Sequence, residues 1–204
     1  MVTIPLPFFF RDRIKIPLFT IVYTAILFAT DLSFYTVLTV LAAGIHEAGH
    51  IITARLCGVR IEQITIYPFG ADIRLAEGIH SYRTDFFIAS AGAVANFAAG
   101  TVFYGFFRHN IYLNFFALCN FLLAAVNLLP ASQLDGGGIV RSMVFPIFGM
   151  ERAEKILKTV SFLAIIFLWS ISVYLLFYTV SNLSLLLICV YLFISDFTSF
   201  GRKY

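Results

Sequence analysis

The sequence predicts an all-α polytopic membrane protein with about six transmembrane helices and a short membrane-associated β-hairpin. Three observations carry this. Composition is the first: of 204 residues 60% are hydrophobic and 12% charged, and mean hydropathy is +0.91. Soluble domains average about 45–50% apolar and about 25% charged, so the excess apolar surface here faces lipid. The second is length: six apolar segments approach the roughly 20 residues that cross a bilayer. The third is charge placement. With six spans, thirteen of the fourteen Lys and Arg residues fall on one side and Arg108 alone on the other. Basic loops stay cytoplasmic, so both termini and both longer loops are expected there. A net charge of +3 is too small to argue for nucleic acid.

The first expected span is 14–30. Arg11, Arg13 and Lys15 flank it, but no small-x-small cleavage site follows before Asp31, so it reads as a retained helix rather than a signal peptide. The others are 33–57, 84–107, 111–129, 157–179 and 183–200. Very short links near Asp31, His109–Asn110 and Ser181–Asn182 make antiparallel helical hairpins. Two connections are longer. In 58–83, the β-branched run Ile61–Tyr67, the break Pro68-Phe69-Gly70 and the run Ala71–Leu75 read as the β-hairpin. The second connection, 130–158, follows a helix interrupted by Pro130. No repeat is visible, and the chain reads as a single integral-membrane domain over 1–204 with no appended CBS or PDZ domain. Cys57, Cys119 and Cys189 are far apart, fit neither a disulfide framework nor a zinc pair, and read as packing residues.

Inside the second span lies His46-Glu47-Ala48-Gly49-His50, an H-E-x-x-H motif. Residues four apart share a helix face, so His46 and His50 can direct two imidazoles at one metal ion. Glu47 stands beside them as a carboxylate able to take a proton from water, the donor set of a zinc-dependent peptidase. Ionisable side chains at membrane depth cost about 2.5–3.5 kcal/mol or more each, and they mark function. A catalytic zinc site needs a third protein ligand. Asp135, among apolar residues and ahead of three glycines, is the candidate. The alternative for it is an ordinary turn aspartate.

At these residues the chain resembles the site-2 protease family of intramembrane zinc metalloproteases. His46 through His50 matches the family's H-E-x-x-H, Asn127 through Gly137 its N-x-x-P-x-x-x-L-D-G, and Ala91 through Asn96 its A-G-P-x-x-N. The resemblance covers roughly 40–141. Ala93, Gln133 and Gly138 depart from the family pattern, and none of them is a ligand position. The resemblance implies one Zn²⁺ per chain held by His46, His50 and Asp135, with Glu47 as catalytic base and Asn127 at the substrate or oxyanion. It implies a protein substrate at the cytoplasmic face of a bacterial membrane: a pro-sigma factor, as in the sporulation branch of the family, an anti-sigma factor, or a signal-peptide remnant. Besides lipid, a membrane inhibitor or regulator protein is a candidate partner. A substrate helix must unwind to expose its peptide bonds, and the strand 61–67 is expected to hold the unwound segment by edge pairing.

Two other functions fit some of these features. A metal transporter would use intramembrane His and Asp as a relay, but would repeat such spans, and here the site is single. A proteolytically silent partner-binding relative would have no need of Glu47. Asn96 reads as a cross-helix hydrogen bonder, Gly92, Ala95, Ala99 and Gly100 as close-packing residues, and His80 and His109 as solvated loop residues.

Overall fold

The computed structural model describes residues 2–4, 13–30, 33–67, 70–75, 81–107, 109–179, 186, 189, 190 and 192–194. Among these the chain is mainly helical, with a short sheet, as expected. The elements are β1 Val2–Ile4, β2 Arg13–Ile16, α1 Leu18–Thr30, α2 Phe34–Leu56, β3 Ile61–Tyr67, β4 Gly70–Leu75, α3 Tyr82–Phe107, α4 Ile111–Asn127 and α5 Asp135–Thr179. They group into two compact units, 1–125 and 126–204.

Sequence dictates the ends of α2 closely. Ser33, in extended backbone, caps its first turn by accepting from the Thr36 N–H. At the other end Gly58 adopts φ 74°. Its N–H bonds Arg55 O at 2.9 Å, and that of Val59 bonds Ala54 O at 2.9 Å. This pair of bonds is a Schellman motif, and it turns the chain out of the membrane helix into β3. Twenty-three residues at 1.5 Å each give α2 about 34 Å, enough to cross the hydrocarbon core. Its buried residues, Leu38, Ala42, His46, His50 and Ala54, recur every fourth position and form one stripe. That stripe meets α3, whose small residues allow close approach: a Cβ on Gly49 would stand 2.7 Å from Ala91 O and 2.9 Å from Ala95 Cβ. Leu38 and Ala42 also pack with Phe116 of α4.

The sheet order is β1-β2-β3-β4. β3 and β4 form the expected hairpin, antiparallel with Ile66 opposite Ala71; Pro68 and Phe69 lie outside the described residues. The hairpin is not alone: β2 pairs parallel with β3, and β1 antiparallel with β2. This corrects two expectations. The segment 14–30 is not one helix. Ile14 and Ile16 belong to β2, Pro17 follows, and only thirteen residues remain in α1, fewer than a straight span needs. Pro17 cannot continue a strand ladder, but its carbonyl accepts from Thr20 N at 3.0 Å and opens the helix. Second, β3 has neighbours on both sides, so its edges are not open to a substrate strand; among the described residues the outer strand beside it is β4.

The second unit takes in the last two residues of α4 and the turn after it. Ser132 N donates to Ser161 Oγ at 3.0 Å, and Ala131 packs with Ile165, Leu168, Cys189 and Leu192. The expected loop 130–158 is helical from Asp135 onward, with a break at Gly149 (φ 71°) three residues after Pro146. Of the last expected span, 183–200, only Leu186, Cys189, Val190, Leu192, Phe193 and Ile194 are described, and they are helical. Among the described residues α2, α3 and α5 are long and apolar enough to cross a membrane, and α4 is a shorter apolar helix of 17 residues.

Candidate metal centre

His46 and His50 sit one turn apart on the buried stripe of α2, with only 6% and 8% of their surface exposed. Each ring is oriented by a partner on α3. His50 Nδ1 lies 2.7 Å from Ile88 O, and His46 Nδ1 lies 2.9 Å from Asn96 Oδ1. Both partners are oxygens that accept, so in the neutral form of each ring Nδ1 carries the proton and Nε2 the lone pair. The two Nε2 atoms face each other at 3.2 Å. Two nitrogens that each carry a lone pair cannot hydrogen-bond to each other, but they suit a shared cation. Two nitrogens each about 2.0–2.1 Å from one tetrahedral Zn²⁺ stand about 3.3 Å apart, so the observed spacing fits zinc.

Gly92 makes room for this pair. A Cβ at that position would stand 2.7 Å from His46 Nε2 and run into His50 Nε2 as well. The close packing expected of Gly92 is therefore packing against the imidazoles themselves. Glu47, half-buried, accepts the main-chain N–H of Ala71 in β4 at 2.9 Å. The carboxylate is thus tied to the sheet as well as to its own helix.

Asp135 and Asn127 belong to the second unit. Asp135 is half-buried at the N-terminus of α5, where the helix dipole favours a carboxylate. The turn ahead of it is tight: a side chain on Gly136 would run into the carbonyls of Leu128 and Leu129. Asn127 ends α4. His109 is exposed, as expected for a loop residue, and His80 lies outside the described residues. The three cysteines are free, and Cys57 is exposed rather than packed.

Sequence reasoning missed Asn120. It is fully buried and accepts from Asn96 Nδ2 at 2.9 Å. Asn96 also donates to Ala42 O at 3.1 Å, so it bridges helices as expected while it touches His46. An asparagine in the middle of an apolar helix was the available signal.

A helical membrane protein with an H-E-x-x-H pair turned into a helix interface is the class that fold and geometry define. The chain belongs to peptidase family M50, whose sequence profile matches residues 33–112 and 107–171. It is similar to a zinc metalloprotease of Methanocaldococcus jannaschii, 28% identical over 187 residues, 87% of this chain and 52% of that protein. It is similar too to stage IV sporulation protein FB of Bacillus subtilis, 26% identical over 166 residues, 78% of this chain and 56% of that one. The chain therefore spans about half the length of these relatives. In fold it is similar to the solved site-2 protease from M. jannaschii, with a TM-score of 0.67 at 23% identity, over 97% of this chain and 94% of that one.

Proposed function

We propose that the chain is an intramembrane zinc metalloprotease that hydrolyses a peptide bond of a membrane-associated protein near the cytoplasmic face. The observation that carries this reading is the approach of the two imidazoles, Nε2 to Nε2 at 3.2 Å, with Glu47 next to one of them in sequence. His46, His50 and Asp135 hold one Zn²⁺, a donor set of two imidazoles and a carboxylate supported by the two sequence motifs and by family membership. Zinc, once bound, would supply Lewis acidity towards water and a carbonyl oxygen. Glu47 accepts the proton of the attacking water as its oxygen bonds to the carbonyl carbon. It returns that proton to the amide nitrogen as the C–N bond breaks. Asn127 steadies the substrate or its developing oxyanion.

The substrate strand docks on β4 rather than β3. Ala71 gives its N–H to Glu47, and residues two apart in a strand share direction. The main chain of Ile73 therefore also turns towards the outer edge, on the side where Glu47 lies. An unwound segment paired there is led to the catalytic carboxylate. A pro-sigma factor is the first substrate to try, since stage IV sporulation protein FB is among the relatives; an anti-sigma factor and signal-peptide remnants come next.

The test is co-expression with each substrate class, comparing the wild type with Glu47→Gln. Cleavage by the wild type alone supports the reading. Cleavage by Glu47→Gln above background removes Glu47 as the base.

A further inference from the structure

The buried asparagines of α3 and α4 form a chain of forced orientations. It starts at a main-chain carbonyl, which can only accept: Asn120 Nδ2 donates to Phe116 O at 2.8 Å. That turns Asn120 Oδ1 towards α3, where it accepts from Asn96 Nδ2 at 2.9 Å. A second carbonyl, Ala42 O on α2, takes the same Nδ2 at 3.1 Å. Both amide hydrogens of Asn96 are then engaged, and its Oδ1 is left facing His46 Nδ1 at 2.9 Å. Neither asparagine has exposed surface. Turning either amide over would set oxygen against oxygen in a buried place, which carries a large penalty.

We propose that Asn96 is a positioning residue that locks His46 in its Nδ1–H tautomer, and that Asn120, acting through Asn96, makes α4 a determinant of how tightly His46 holds a metal. The link to metal affinity rests on the functional reading above; the tautomer does not. A pair that merely joined helices would have no reason to present an acceptor to His46, and its loss would leave the ring's proton where it was. His50 provides an internal control, because its Nδ1 faces Ile88 O and lies outside the asparagine chain.

The experiment uses the full chain with ¹⁵N-labelled histidine in a His80→Gln, His109→Gln background, metal-free and at mildly alkaline pH. In that background both remaining rings should show a protonated Nδ1 and a bare Nε2. Asn96→Leu should let His46 populate the Nε2–H form while His50 is unchanged. Asn120→Leu should shift His46 in the same direction by less. Zinc affinity, read by competition with a chelator, should fall about 10- to 100-fold in Asn96→Leu. A His46 ring protonated on Nε2 in the otherwise unsubstituted protein overturns the proposal, and so does a folded Asn96→Leu chain with unaltered tautomer and zinc affinity. Should Asn96→Leu not fold, the spectrum of the background protein decides the tautomer by itself. Failure of the wild-type chain to bind zinc would fall on the functional reading and on the affinity claim, not on the tautomer.

Discussion

At the scale of single residues, three side chains with similar sequence credentials have different surroundings. His46 and His50 end on each other, whereas Glu47 reaches out to the Ala71 amide. Loss of Glu47's charge should therefore spare metal binding: Glu47→Gln is expected to keep zinc at the wild-type level by elemental analysis while cleavage drops to background. Gly92→Ala should do the reverse of a mild substitution. Its methyl group would enter the space between the imidazoles, so zinc content should fall several-fold with helicity by circular dichroism retained. Full zinc occupancy in Gly92→Ala would contradict the close approach. The H-E-x-x-H pair was legible because its spacing is itself the geometry. Asn120 was not legible, because an asparagine in a membrane helix looks the same whether it joins helices or aligns a neighbour's amide. Only the position of Asn96 across the interface separates the two.

At the scale of elements, α2, α3 and α4 begin within two residues of where the apolar pattern places them, and end within two. Ser33 caps the start of α2, and Gly58 with its positive φ ends it. The error at 14–30 has a physical cause. An apolar run does not distinguish a β-branched strand from a helix, and the parallel partner of β2 lies some fifty residues away, at Gln63 to Thr65. The same long-range pairing moved the open edge from β3 to β4. Ile73→Pro removes an outward N–H on an outer strand, a position that tolerates proline better than an interior one. Turnover is expected to fall in this variant with zinc content unchanged. A wild-type cleavage rate would rule out pairing at β4. Asp135 shows the converse. The sequence marked it by its motif, but the helix it heads was read as loop, because Gly136, Gly137, Gly138 and Pro146 all argue against helix locally.

At the scale of the whole molecule, composition and the distribution of Lys and Arg were enough to define a membrane protein. Sidedness, predicted from the same charges, can be read with a cysteine already present. Cys57 is exposed where α2 meets the turn to β3. A membrane-impermeant maleimide should label it in inside-out vesicles and not in right-side-out ones, with Cys57→Ser as the blank. The opposite pattern would invert the orientation and put the histidine site on the other face. The central claim is that residues far apart in the chain hold one metal, and it is tested most directly by elemental analysis of the detergent-purified full chain beside His46→Ala and Asp135→Ala. About one zinc per wild-type chain, lost or strongly weakened in both variants, is the predicted result. Zinc absent from carefully handled wild type would contradict the account, and zinc unaffected by Asp135→Ala would contradict the carboxylate ligand.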